Sequence, residues 1–315
     1  MRFFLGVILT TWISISFGQS YPARPIKIIV PLAAGGTGDS LARLVGEELA
    51  RTLGGAVIVE NRPGSGGTIG TDAVAKSAPD GYTLLHTSSS HIANAALRPK
   101  LSYDAIKDFA VIARTADTHQ VLVAHPSFPP NTVRELIAYC KANRVFYGSS
   151  GNGSSTHLNM ELLKSLAGID IAHVPYKGST QSRIDLISGQ IQLSVDGLLP
   201  TLPHIRAGKL KAIALTSSRR SAAVPDVPII AEAGVPGYES DIWYALFAPS
   251  SLNANILERL RLATDAALQS PALKQKFLLQ GAEPTASSPA QLQELMRTDY
   301  ARWAKLVATA HLTVD

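Results

Sequence analysis

The chain carries one cysteine, Cys140, in 315 residues, so no internal disulfide can form. A chain this long buries enough apolar surface to fold without one, even in an oxidising compartment. Charge is also sparse, at 17% of residues, with a formal net charge of +5. The Lys and Arg residues are scattered rather than gathered into a stripe, which removes the electrostatic footprint of a nucleic-acid binder. Such a mildly basic surface favours anionic solutes only weakly. Past the amino terminus no stretch is apolar and uninterrupted enough for the roughly 20 residues that a bilayer span needs. Motifs of chemistry are missing too. No glycine loop ends in Gly-Lys-Ser/Thr, which disfavours nucleotide hydrolysis. Among eight histidines only His86 and His91 lie within five positions of each other, and no carboxylate-bearing zinc pattern accompanies them. GSSGNGSST does not supply the Gly-x-Ser-x-Gly of a seryl nucleophile elbow. Neither a metal nor a cofactor is expected, and enzyme activity is disfavoured.

What is present begins with MRFFLGVILTTWISISFGQS, which places Arg2 ahead of an apolar run from Phe3 to Ile15, then small residues at Ser16 and Gly18. That is the layout of a secretory signal peptide. Cleavage after Gly18 is expected, with the mature protein outside the cytoplasm. No cysteine follows the run, which disfavours a lipoprotein. Cys140 itself sits in RELIAYCKAN, an amphipathic helix with Leu136, Ile137 and Cys140 on one face.

From Arg24 the chain alternates short β-branched runs with helical patterns: PIKIIVPL, DSLARLVGEELARTLG, AVIVEN, TIGTDAVAKSA and YTLLHTS. That alternation predicts an α/β fold, a parallel sheet with helices on its faces. The first helix has Leu41, Leu44, Val45 and Leu49 at helical spacing and should end at Gly54 and Gly55. A second set of the same design starts near Gln120 and runs through VLVAHP, VFYGSS, IAHVPYKG and IQLSVDG. No long linker separates the two sets, so more than one chain crossing is expected between them.

Two segments, IIVPLAAGGTGDSLARL and FYGSSGNGSSTHLNMEL, share a strand, a glycine loop and a helix start. Glycine lets backbone approach a ligand, and a helix start offers unpaired N–H donors with the positive end of its dipole. Each dipole interaction contributes about 0.3 to 2 kcal/mol, so several donors must converge. Facing each other, the loops would form a pincer for a carboxylate; singly, each could be only a tight strand-to-helix turn. NRPGSGGTIG misses the spacing of a dinucleotide fingerprint and reads as a structural loop. Asp39 reads as a helix cap. Asp196, ending IQLSV, faces the cleft or begins a turn with Gly197. His157 reads as a hydrogen-bond anchor for its loop, the competing reading being a hydrolase built on Ser154 and His157.

The strings YPARPIKIIVPLAAGGTGD, VIVENRPGSGGTIG, PDGYTLL, YGSSGNGSSTHL, HVPYKG, VPDVP with AEAGVPGYE, and AHLTVD resemble the Bug or TctC family, extracytoplasmic solute receptors of tripartite tricarboxylate transporters. The resemblance implies a type II periplasmic-binding (Venus flytrap) fold, two lobes each with a central, mostly parallel sheet flanked by helices. Lobe one would comprise 19–120 and 245–315, and lobe two 121–244. It also implies a monomeric periplasmic protein that captures a small carboxylate (a dicarboxylate, an acidic amino acid or an aromatic acid) for the membrane subunits of a transporter. A sensor feeding a receptor kinase would have the same cleft. Carried over by position, Leu32, Ala33, Gly35, Gly36, Asp39, Ser89 and His91 would line the site from lobe one. Lobe two would add Ser149, Ser150, Gly151, Ser154, Thr156 and His157, with Lys177, Gly178 and Asp196 behind them. Such receptors hold carboxylates through backbone amides and few cationic side chains. Leu32 stands where similar proteins often have an aromatic residue. NAALRPKLSYDAIKDF lacks the family's Asn-Pro and Asp-Pro steps, and KGSTQSRIDL replaces a more apolar turn.

Overall fold

A computed structural model describes residues 21–310; the expected leader over 1–18 lies outside that range. The first unit runs β1 (Ile26–Val30), α1 (Thr37–Leu53), β2 (Val57–Asn61), α2 (Thr68–Ala75), β3 (Thr83–Ser88), α3 (Ser90–Leu97) and β4 (Phe109–Thr118). The second runs β5 (Gln120–Ala124), α4 (Val133–Ala142), β6 (Phe146–Ser149), α5 (Ser155–Ala167), β7 (Ala172–Pro175), α6 (Ser179–Ile187), β8 (Leu193–Gly197), α7 (Leu198–Arg206) and β9 (Lys211–Leu215). The chain then returns through β10 (Ile242–Pro249), α8 (Ala254–Gln269), α9 (Pro271–Leu279), β11 (Ala282–Pro284) and α10 (Pro289–Ala310).

One sheet has the order β11-β4-β10-β3-β1-β2 and the other β7-β6-β8-β5-β9. Both are mixed. In the first, β10 and the short β11 run against the other strands; in the second, β5 alone does. The reversed strands β5 and β10 are those by which the chain enters each lobe, so they begin where the other strands end. Carboxyl ends of parallel strands form the ligand crevice in open α/β sheets. The entering strands therefore contribute their first residues to the same place. The return strand starts at Ile242, ahead of the expected 245.

The apolar run of β1 is buried on both faces, as expected for a central strand flanked by helices. Ile26, Ile28 and Val30 pack on Leu41, Val45 and Leu49 of α1, while Ile29 faces Val74, Ile92 and Met296. Helix α1 stops at Gly54, whose left-handed φ of 69° lets its N–H reach Ala50 O. In lobe two, Leu122 and Ala124 share a core with Leu136, Cys140 and Met160, while Val121 and Val123 face Leu186 and Leu198. Cys140 is buried core. Each such Leu or Ile contributes about 1.5–3 kcal/mol of burial.

The lobes join at His119, between β4 and β5, and at the segment between β9 and β10. The two crossings are bonded to each other: Thr216 N donates to Gln120 O at 3.0 Å, and His119 Nδ1 lies 2.8 Å from Ser217 Oγ. Beside them Leu158 of α5 packs on Ala93 and Leu97 of α3 and on Trp303 of α10.

Candidate functional site

A cavity of about 600 Å³ lies between the lobes, within the roughly 300–1,000 Å³ usual for small-molecule sites. Lobe one lines it with Pro31–Ala34, Gly36–Gly38, Pro63–Gly67, Arg98 and Tyr244; lobe two with Gln120, Ser150–Asn152, Ser155, Thr156, Pro175–Ser179, Asp196 and Gly197. The lobes touch along two seams. At one, a Cβ added to Gly178 would stand 2.8 Å from Ala33 Cβ, and Gly197 abuts Thr37. At the other, a Cβ on Gly66 would stand 2.5 Å from Asn152 O. Asn94 Nδ2 bridges this second seam, donating to Gly66 O at 3.0 Å and Gly153 O at 2.8 Å. The clamp is closed.

Helix α1 starts at the N-cap Gly36, and α6 at Gly178; neither has a side-chain cap. The first N–H groups of a helix have no intrahelical acceptor. Among the described residues no acceptor meets the N–H of Gly36, Thr37 and Gly38 on one side, or of Gly178, Ser179 and Thr180 on the other. Two open helix starts thus converge at the first seam. Asp39 is not the N-cap but the third helical residue. Its carboxylate reaches back to accept Gly35 N–H at 3.0 Å and pairs with Arg43, a relative of the capping box. Burial pushes its pKa up, but the Gly35 N–H and Arg43 outweigh that and hold it below the ordinary carboxylate range.

The lobe-two loop is different, because side chains claim several of its N–H groups, although the first two N–H groups of α5, at Ser155 and Thr156, meet no acceptor among the described residues. Ser150 N donates to Thr156 Oγ1 at 2.8 Å, Gly151 N to Ser149 Oγ at 3.1 Å, Gly153 N to His157 Nδ1 at 3.2 Å, and His157 N to Ser154 Oγ at 3.3 Å. Ser149 Oγ also meets His173 Nε2 at 2.7 Å. His157 stacks on His173 at 4.2 Å, and His173 on Tyr147 at 4.7 Å. Burial lowers the pKa of both imidazoles to about 4, so both are neutral near pH 7. The His157 ring holds Gly153 rather than the Ser154 hydroxyl, which bonds Thr156 instead at 3.0 Å.

Of the residues expected in the site, Leu32, Ala33, Gly36, Ser150, Gly151, Thr156, Lys177, Gly178 and Asp196 line the cavity. Gly35 sits at the first seam, 3.5 Å (as a Cβ) from Thr180 Oγ1. Asp39, Ser149, Ser154 and His157 stand behind the loops and hold their shape. Ser89 and His91 are corrections. Ser89 N donates to Trp243 O. The His91 ring lies among Tyr103, Phe109 and Phe247, with Nε2–H donating to Ala105 O at 2.7 Å. Its helix turns it into the core, where burial lowers its pKa to about 4. Asp196 faces the cavity but is held by Arg183 Nε at 2.7 Å and Gly197 N–H at 2.7 Å. Burial pushes its pKa up, and those two donors pull it back.

Sequence reasoning missed the start of α6, with Tyr176 and Ser179 on the cavity wall, and four further contributors. The loop Pro63–Gly67, read as structural, lines the cavity and forms half of the second seam. Gln120 and Tyr244 reach the cleft because they stand near the starts of the entering strands, a position that no local motif announces. Gln120 Nε2 donates to Ser155 Oγ at 2.8 Å. Arg98, at the C-terminal end of α3, also lines the cavity; its only local hint was an arginine with no acid one helical turn before it.

Two α/β lobes joined by paired crossings and closed over a cavity fringed with open helix starts define a solute-binding protein of the flytrap class. The chain belongs to the tripartite tricarboxylate transporter family receptor group, TctC, whose sequence profile matches residues 41–312. It is 39% identical to the protein BugT of Bordetella pertussis over 293 residues, 92% of this chain and 90% of that protein. Its fold matches the solved periplasmic binding protein BugD with a TM-score of 0.88 at 34% identity, covering 93% of this chain and 99% of BugD. It matches R. palustris Rpa4515 with adipate equally well, with a TM-score of 0.88 at 35% identity over 93% and 99% of the two chains. The family is one of solute receptors, not of enzymes.

Proposed function

We propose that this chain captures one small carboxylate in the periplasm, as a monomer, and presents its closed lobes to the membrane subunits of a tripartite tricarboxylate-type transporter. One observation carries the reading: α1 and α6 start at uncapped glycines on opposite sides of one seam, with their first N–H groups unclaimed. A carboxylate placed there would accept charge-assisted hydrogen bonds from both lobes and so favour the closed state. Gly36–Gly38 and Gly178–Thr180 are the principal donors in this reading, with the hydroxyls of Ser155 and Tyr244 on the cavity wall. The leader pattern around Arg2 and Phe3–Ile15 supports export, as does membership of a family that includes periplasmic binding proteins. The lobes would then comprise 19–120 with 245–315, and 121–244, apart from the few residues by which β10 begins early.

Calorimetry on the purified mature chain with a panel of mono-, di- and tricarboxylates and acidic amino acids tests the binding claim. The expected outcome is saturable binding of at least one carboxylate with a matching rise in melting temperature. No binding across the panel would overturn it. Loss of uptake of that solute in a deletion strain tests the transport claim; intact uptake with lost gene induction would replace it by sensing.

A further inference from the structure

We infer that Asn94 is the latch of the clamp: its side-chain amide holds the lobes together across the second seam without touching the solute. The inference goes beyond the proposed function and does not depend on which solute is bound.

Asn94 stands on α3 in lobe one, is 2% exposed, and lies behind the cavity wall rather than on it. Three backbone carbonyls converge on one end of its amide: Ser90 O at 2.9 Å, Gly66 O at 3.0 Å and, from lobe two, Gly153 O at 2.8 Å. Only a donor suits three carbonyls, so that end is Nδ2, and Oδ1 points to Arg98 Nε at 3.4 Å. Ser90 O and Gly66 O belong to the same lobe as Asn94, so they aim the amide at the gap whether or not the lobes have met. Gly153 O is the acceptor that closure adds. Gly153 is buried, and its carbonyl has no other donor among the described residues. Water can serve that oxygen while the lobes are apart; in the closed state Asn94 serves it. A buried carbonyl left unpaired is costly, so the closed state depends on this donor and the open state does not.

The seams differ in what closes them. Away from the paired crossings, Asn94 to Gly153 is the one hydrogen bond that joins the lobes among the described residues. At the first seam Gly178 meets Ala33 and Gly197 meets Thr37 by packing alone, and the open N–H groups of α1 and α6 are left for a ligand. Leu158 also crosses to α3 and α10, but beside the crossings, where rotation about them moves it least. The first seam thus leaves its bonds to the solute, whereas the second is bonded by the protein itself. Because apparent affinity is the intrinsic affinity reduced by the fraction of competent molecules, Asn94 is a positioning residue: it tightens binding by populating the closed state before a solute arrives.

The test is the distance between spin labels on the solute-free mature chain, at Ile58→Cys in lobe one and Ile184→Cys in lobe two, both exposed, with Cys140→Ala to remove the native thiol. Double electron–electron resonance on this parent should show a population at the separation of the closed structure. Asn94→Asp keeps the size of the side chain and turns its donor end into an acceptor. Gly153→Ala acts from the other lobe, since its Cβ would collide with Asn94 Oδ1. In each variant the closed-to-open ratio should fall about tenfold or more, with melting curves to establish folding. A parent with no closed population overturns the inference. An unchanged distance distribution in either folded variant also overturns it, even if the melting temperature drops, because Asn94 would then be merely structural. If Asn94→Asp fails to fold, the parent and Gly153→Ala decide. No solute is added, so failure of the carboxylate reading leaves this test standing.

Discussion

The two glycine loops share a sequence design and differ in chemistry. The loop before α1, Leu32–Gly36, has no hydroxyl, and the side-chain acceptor that serves it is Asp39 in the first turn of α1, which takes one N–H at Gly35. The helix donors beyond it stay open. The loop before α5 is full of Ser and Thr, side chains that compete for backbone groups. They claim Ser150, Gly151 and His157 N–H, and the His157 ring claims Gly153. The hydroxyls of Ser149, Ser154 and Thr156, which look like ligand donors in sequence, are therefore committed to the scaffold, while Ser155 keeps its place on the cavity wall. The partner of α1 across the cleft is instead α6, which also opens at an uncapped glycine.

The largest expected effect lies in the lobe-two wall. Arg183→Met should lower stability by about 3–5 kcal/mol, because it leaves Asp196 buried without its cation. Urea denaturation measures this, and a loss near zero would mean that lobe two does not depend on the pair. Next comes Gly178→Val, which places side-chain atoms against Ala33 at the seam. Affinity should fall by about a hundredfold in calorimetry with the lobes still folded; unchanged affinity would break the pairing of α1 with α6. Ser149→Ala should act the other way round. It removes the acceptor of Gly151 N–H and the partner of His173, so stability should drop by about 1–2 kcal/mol, and binding should weaken far less than in Gly178→Val. A larger loss of binding than of stability would return the lobe-two loop to the ligand.

The smallest effect separates the loops by pH. His157 and His173 have folded pKa values of about 4 against an ordinary value of 6.5, through burial. The unfolded chain binds more protons between those values, so their contribution to stability is complete above about pH 6.5 and is lost as pH falls towards 4. Asp39, held low, keeps its contribution above the ordinary carboxylate range and loses it only as pH falls through its own depressed value. His86 and His91 in the lobe-one core titrate in the same sense as the lobe-two pair. Melting temperature should therefore fall between pH 6.5 and 4, and amide protection at Gly151 and Gly153 should fall more than at Gly35. Equal changes at both loops would show that the histidine pair does not hold the lobe-two loop.

Much of this was legible in the sequence because it depends on neighbours in the chain. The β1 run, the apolar face of α1, its stop at Gly54 and the buried side of the Cys140 helix all follow from periodicity and glycine stereochemistry. The glycine-loop segments were found for the same reason. Misplacements arose where a side chain's surroundings come from elsewhere. His91 follows a cleft-edge strand, yet its helix turns it towards Phe109 and Phe247. Pro63–Gly67 had the look of a turn until Asn152 closed over it.

The sequence by itself determined the α/β elements, their order, and the glycine loop that opens α1, since each of these is settled within a few residues. Only the tertiary structure decided which openings face one another, which amides are already bonded, and that Arg98 lies at the other seam of the same cavity. The cavity wall draws on residues from Pro31 to Tyr244, and two crossings of the chain bring them together. Hydrogen-bond donors are claimed by whichever acceptor lies within about 3 Å, and that distance is set by the packed lobes rather than by spacing along the chain.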